Sequence, residues 1–399
     1  VVRHKGVGVA DLPAKSLTDN APVYDQPASE PAHVLEARNW QVDTIPELVV
    51  DEVEGSLEKL LRHPTIASKR WVWEQYDHMV MSGCTVEPGS DAGVVKLSIA
   101  GIDKYLAIAN DCNNRFCYLD PYKGAQIAFV ECMRNLACSG AKALAVTDNL
   151  NFGNPNKPEA YYMLKECVKG LADACSHFDV PVVGGNVSLY NEHGQGSIDP
   201  TPVVSMVGLI DKSENVTRST ISESGHSIVL LGGLSNELGG SYFLQTQYGL
   251  KQGKVPEVDL EAEAKLQELL IRGIKERQIE SAHDLAEGGC LIAVVEMLFG
   301  NRDLGAELKI QTTEENFRLD SLLFGESQGR ALVAVAQPNL GSFYELANQL
   351  GVDAQEIGKS NNGNVLSLEV NHNEVMRTEI SKLQKIWEDV IPARMQSGQ

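Results

Sequence analysis

The stretch Ala143-Leu144-Ala145-Val146-Thr147-Asp148-Asn149-Leu150-Asn151-Phe152-Gly153-Asn154-Pro155 begins apolar and ends polar. Its first four residues predict a short strand over 143–146, and the rest a loop beyond it. Pro158 then opens a helix, because proline suits the first helical turn. Ala160, Met163, Leu164, Cys167, Leu171, Ala174 and Phe178 recur at the spacing of one helix face. A second short strand is predicted over 181–183, running into Gly184-Gly185-Asn186-Val187-Ser188-Leu189-Tyr190-Asn191-Glu192. Strand, helix and strand in succession define an alternating α/β unit.

The same pattern extends outward. Strands are predicted at 94–99 and 105–109. Ala125, Ala128, Phe129, Cys132 and Leu136 then mark one helix face, with Gly140 at the position of a helix-ending glycine. A strand at 203–210 closes this half. Residues 211–226 are polar, with few large apolar side chains, and mark a domain boundary. A second α/β unit follows, with a strand at 227–231 ending in Gly232-Gly233 and an amphipathic helix at 260–277. An apolar helix at 286–299, a buried strand at 331–336 and a terminal helix with Leu383, Ile386, Trp387 and Val390 inward complete it. The first fifty residues differ, holding Pro13, Pro22, Pro27, Pro31 and Pro46 and reading as an extended linker. A short helix near 51–62 is ended by His63-Pro64, since the residue before proline is pushed out of the helical region.

Charge and composition exclude several functions. The 399 residues carry 34 Lys and Arg against 54 Asp and Glu, a net charge of −20. Such a chain is a poor general binder of nucleic acid, which needs a basic surface. At 43% hydrophobic it can bury a real core. Its apolar runs fall short of the roughly 18–20 residues that span a bilayer. The chain opens on Val1-Val2-Arg3-His4-Lys5, with no methionine and no apolar leader, so either a processed chain or a piece of a longer protein is expected, and its sparse thiols suit a cytoplasmic one. Eight cysteines are too few for a disulfide scaffold. Cys112 and Cys117 lack the third close cysteine of an iron–sulfur site and read as buried thiols.

Four polar loops follow strands: Asn110–Arg115, continuing to Gly124; residues 147–155; residues 184–192; and residues 281–289, with His283-Asp284. Each also reads as an ordinary turn, and His283-Asp284 as a helix start capped by aspartate. Loops at strand ends are nonetheless where α/β proteins hold ligands. Carboxylates and amide oxygens suit Mg2+, the usual bridge to nucleotide phosphates. A chain of charge −20 can hold a nucleotide if divalent cations mediate, so Asp148 and Asn186 fit as Mg2+-linked groups. Neither a Walker A sequence nor a dinucleotide fingerprint occurs.

Taken in order, five strings are more specific than any one alone. They are His63-Pro64-Thr65-Ile66-Ala67-Ser68-Lys69, Pro88-Gly89-Ser90-Asp91-Ala92, residues 145–155, residues 184–192 and Gly325-Glu326-Ser327-Gln328. The series resembles the small bacterial-type synthetase subunits of the phosphoribosylformylglycinamidine synthase family, over nearly the whole chain but only for the C-terminal half of the family's length. The resemblance implies an α/β (α+β) fold of two domains, like the front and back domains of aminoimidazole ribonucleotide synthetase. Residues 1–59 would be the tail of a preceding domain plus a linker, 60–211 the front domain and 212–399 the back domain.

The resemblance further implies ATP-dependent amidation of formylglycinamide ribonucleotide, through an iminophosphate, with ammonia from a separate glutaminase subunit. Expected cofactors are ATP and Mg2+. Expected partners are the missing N-terminal half, the glutaminase, a small accessory subunit and the substrate, with a homodimer of the fragment as a further option. By motif match, Asp148 and Gly185 are similar to ATP contacts, Asn186 to a Mg2+ ligand and Ser188 to a substrate contact. The family's first half carries a Glu-x-His-Asn-His-Pro-Ser loop, whereas Asn110-Asp111-Cys112-Asn113-Asn114-Arg115-Phe116 stands here. No general base is therefore expected in this half. Glu326-Ser327-Gln328 is expected as a structural echo, and Asp91, Asp111 and Asp284 as the lining of an auxiliary, non-catalytic nucleotide pocket.

Overall fold

The computed structural model describes residues 1–397 apart from 98, 100, 195, 302 and 313–316. The front sheet contains β1 (Cys84–Val86), β2 (Gly93–Lys96), β3 (Tyr105–Asp111), β4 (Lys142–Asn151), β5 (Val182–Ser188) and β6 (Thr201–Ile210). Their spatial order is β1-β2-β3-β6-β4-β5, antiparallel except for the parallel pair β4–β5. The back sheet contains β7 (Ser227–Leu231), β8 (Ser281–Asp284), β9 (Leu304–Ile310), β10 (Ala331–Val335), β11 (Ala354–Asn362), β12 (Val365–Val370) and β13 (Asn373–Glu379). Its order is β8-β10-β7-β11-β9-β12-β13. The fold is thus mixed α/β with two sheets, as expected.

Among the helices that frame the two sheets and their clefts are α1 (Ala32–Asn39), α2 (Val53–Leu61), α3 (Pro121–Cys138), α4 (Pro158–Phe178), α5 (Tyr242–Tyr248), α6 (Leu260–Lys275), α7 (Gly289–Leu298) and α8 (Ile380–Ser397). Helix α3 has Pro121 in its first turn and Asp120 as its cap, the carboxylate accepting the Lys123 N–H at 3.2 Å. It ends at Gly140, whose φ of +86° and close approach to the Asn215 carbonyl admit no side chain. Helix α3 is buried almost all round because it packs on the front sheet, on α4 and on back-domain α6. Helix α2 buries Val53, Leu57, Leu60 and Leu61 in the back-domain core, each contributing about 1.5–3 kcal/mol. Residues 32–61, beyond the proline-rich start, are therefore docked on the body and include a helix, α1, that periodicity did not reveal.

Several sequence expectations need correction. Residues 147–151 and 184–188, read as loops, belong to strands β4 and β5. Their polar side chains are tolerated because one face of this sheet has no helix over it. The strand expected at 94–99 is observed at Gly93–Lys96, and position 98 lies outside the described residues. His283-Asp284 is not a helix start: it lies in strand β8, and α7 begins only at Gly289, with Gly288 as its cap at φ +85°.

Candidate functional site

Strand register sorts the expected site residues onto two faces. Residues directly opposite each other point the same way, and neighbours along a strand point opposite ways. Asp111, Val204, Asp148 and Gly185 form one row across β3, β6, β4 and β5. This row faces the helices. The next residues along, Asn149 and Asn186, are paired on the open face. Asp148 and Gly185 are therefore neighbours, as are Asn186 and Ser188, but the two pairs lie on opposite sides of the sheet.

On the helix side, a side chain at Gly185 would collide with the Asp148 carboxylate. Burial pushes the Asp148 carboxyl up from its ordinary value. On the open side, the Asn186 amide donates to Asn149 Oδ1 at 3.3 Å, and Ser188 Oγ lies 3.2 Å from Asn191 Oδ1. Ser205 hydrogen-bonds Asn110 across the same face. The result is a ledge of neutral amides and hydroxyls. Further along this face stand exposed Val95, Ile108 and Val207, with edge-strand Val187 also exposed.

Asp91, Asp111 and Asp284 are brought together elsewhere, in a cleft of about 860 Å3 between the two domains. Its walls also include Lys69, Glu131, Asn135, His283, Glu287, Glu296 and Trp387. His283 lies 2.9 Å from Asp91 through Nδ1 and 3.1 Å from Glu296 through Nε2. Burial works against its protonation, but Asp91 and Glu296 outweigh this and hold it well above the ordinary imidazole value. Burial, then Glu287 and Asp284, push Asp111 well up, and burial with Asp111 does the same to Glu131. Asp284 is raised to about 8 by burial and by Asp91. Beneath them Arg134, fully buried, is ion-paired to Glu263 of α6 and lies 3.9 Å from Asp284.

This donor set fits a divalent cation. One ligand atom from each of Asp91, His283 and Asp284 falls within 4.8 Å of the others. The Oδ2 atoms of Asp91 and Asp284 are buried with no hydrogen-bond partner, and buried acceptors without donors are costly unless a cation serves them. Glu131, Asn135, Glu296 and Lys69 were missed by the sequence reading. Glu131 and Asn135 left a signal, two polar residues one turn apart in an apolar helix. Glu326 is buried, accepting the Tyr242 N–H at 2.7 Å and the Gly288 N–H at 2.9 Å. It thereby ties the starts of α5 and α7. Among the described residues, Cys112 and Cys117 join no metal-ligating group of three.

The family models for the AIR synthase related proteins match this chain twice: the N-terminal domain over residues 89–210 and the C-terminal domain over 223–371. The phosphoribosylformylglycinamidine synthase subunit PurL of Alkaliphilus metalliredigens is 40% identical over 98% of this chain. The chain spans about half the length of that curated relative, 52%. Among solved structures, Thermotoga maritima PurL complexed with FGAR superposes with a TM-score of 0.70 at 22% identity, over 83% of this chain and 53% of that one. The same protein complexed with ATP gives 0.64 at 21%, over 85% and 55%. A HypE–HypF complex chain gives 0.57 at 15%, over 78% and 97%. At these identities the structural likeness concerns the fold.

Proposed function

The chain belongs to the AIR synthase related protein family, and from this premise we propose that it is the C-terminal half of an ATP-dependent amidoligase, contributing to a site completed by another half. The reaction would convert formylglycinamide ribonucleotide to its amidine with glutamine-derived ammonia, in the cytoplasm. A glutaminase and a small accessory subunit would be the further partners. Residues 1–59, 60–211 and 212–399 would be tail and linker, front domain and back domain.

The observation that carries this reading is the uncovered sheet face of the front domain. Its polar ledge and exposed valines form a surface that is incomplete alone, in a chain matching half of a longer relative. Asn186 would offer its amide oxygen to Mg2+, which when bound neutralises charge on a transferring phosphoryl group. Its amide donor is already engaged by Asn149, which holds the side chain in place. Ser188 would contact substrate, and Asp148 and Gly185 the ATP. No histidine stands in the Asn110–Phe116 segment to move a proton, so the chain alone should show no amidation. The test mixes it with the complementary half and follows ATP-dependent amidation. No gain over either half alone would sink the reading.

A second reading, favoured by the orphaned carboxylate oxygens of the interdomain cleft, gives Asp91, Asp111 and Asp284 to an auxiliary, non-catalytic nucleotide held through Mg2+. Titration calorimetry with MgADP should give heat that Asp111→Asn diminishes. Equal heat in both proteins would remove the cleft from consideration.

A further inference from the structure

The turn that leaves strand β5 is gathered around one side chain. The Asn191 amide nitrogen donates to the Ser188 carbonyl at 2.8 Å and to the Phe152 carbonyl at 3.1 Å. A carbonyl oxygen only accepts, so these contacts identify the nitrogen and use its two hydrogens. Turning the amide over would set its oxygen against two carbonyl oxygens. The amide oxygen, Oδ1, therefore faces Ser188 Oγ at 3.2 Å, and the Ser188 O–H is the donor between them. A hydroxyl has one hydrogen and two lone pairs. Asn191 Nδ2 also comes within 3.1 Å of Ser188 Oγ, on the side of one lone pair. The other lone pair is what Ser188 has left for a ligand. The side chain of Asn191 is not needed to close the turn. The Phe152 N–H already reaches the Ser188 carbonyl at 3.0 Å, and the Asn191 N–H the Phe152 carbonyl at 3.1 Å. Between the two residues Tyr190 holds φ at +61°, a left-handed conformation unfavourable to a bulky residue. Such strain is kept where the geometry serves a site.

This polarity narrows what Ser188 can meet. A phosphate or carbonyl oxygen finds no hydrogen there, whereas an N–H or O–H group finds an acceptor. Ser188 and Asn186 are two residues apart on the open face of β5, about 6.6 Å along the strand. A trans amide is planar, with its N–H and C=O pointing opposite ways. Laid along β5 with its N–H on Ser188, it turns its carbonyl oxygen toward Asn186. We infer that Asn191 is a positioning residue: by engaging the Ser188 hydroxyl hydrogen it makes Ser188 an acceptor, which selects the N–H of the substrate's reacting amide. Ser188 as a substrate contact, and formylglycinamide ribonucleotide as the substrate, rest on the function proposed above. The polarity of that contact and the residue that sets it are new.

The test is substrate affinity, measured by titration calorimetry without ATP on the chain mixed with its complementary half. Two ligands are compared: formylglycinamide ribonucleotide, and its ester analogue in which oxygen replaces the N–H of the reacting amide. The unaltered chain should bind the amide about tenfold more tightly than the ester. Ser188→Ala should bring the two ligands within about twofold of each other. Asn191→Ala, which frees the hydroxyl to turn, should do the same. It should fold, because the Ser188 and Phe152 carbonyls keep their backbone donors. In the Ser188→Ala background, Asn191→Ala should cost nothing further, whereas a merely structural role would give losses that add. An amide preference that survives Ser188→Ala, or additive losses in the double variant, overturns the inference. The comparison of ligands on Ser188→Ala decides the polarity whatever Asn191→Ala does to stability. Amidation by the mixed halves, with an amide preference unmoved by Ser188→Ala, removes this inference alone. No substrate binding by the mixed halves sinks the proposed function, and this inference with it.

Discussion

Glu326 shows what a single buried carboxyl does in this chain. One of its oxygens accepts the first N–H groups of two helices, at Tyr242 and Gly288, while the other has no partner. Burial, and then Glu287, raise the carboxyl to about 8. At neutral pH it is largely a neutral acid, so Gln is close to an isostere. Glu326→Gln should leave urea-unfolding stability within about 1 kcal/mol, whereas Glu326→Ala should cost about 2–4 kcal/mol by orphaning two buried donors. A loss in the Gln variant as large as in the Ala variant would contradict the cap. Arg134 is the complementary case, a buried cation serving Glu263 in the back domain and Gln328 at 3.0 Å, and so joining α3 to α6.

At the scale of elements, the helices were the most legible part. The predicted apolar face of α4 is the one buried, that of α3 is buried along with nearly all the rest of the helix, and Pro121, Pro158 and Gly140 stand where helix punctuation predicts. The strands were read too short, because polar and glycine residues at 147–151 and 184–188 signal turns when taken locally. They remain strand because β4 is paired on both sides and because Gly185 lets Asp148 lie over it. That error concealed the alternation that matters most. Asp148 and Asn149 are consecutive, as are Gly185 and Asn186, yet each pair divides between the helix side and an open polar ledge. Reading them as loops groups residues that a strand separates.

At the scale of the whole molecule, the interdomain cleft makes stability depend on pH and on metal. Asp111, Glu131, Glu287 and Asp284 have folded-state values raised above their unfolded ones, so the folded state binds more protons through the window up to about pH 8. Raised acids lose stability as pH climbs through that window. His283, also raised, loses its contribution in the same direction. The Tm of the metal-free chain should therefore fall from pH 5.5 to pH 8. Mg2+ should restore it at pH 8 and do little at pH 5.5, as scanning calorimetry would show. A Tm that rises with pH in EDTA, or a Mg2+ effect equal at both values, would contradict this.

What the sequence by itself determined is the order of elements, the identity of the helix faces, the mixed α/β class and the run of motifs that marks the family. These depend on periodicity and local chemistry, which operate between near neighbours. Only the tertiary structure decided which of those motif residues share a site. Asp91 meets His283 because the front domain docks on the back domain, 192 residues away along the chain. Asp148 faces the helix side of its sheet and Asn149 the open side, because strand alternation and the one-sided packing of α4 set their directions. Burial and like-charge proximity, which give the cleft carboxyls their raised values, arise from elements distant in sequence, and no local pattern encodes them.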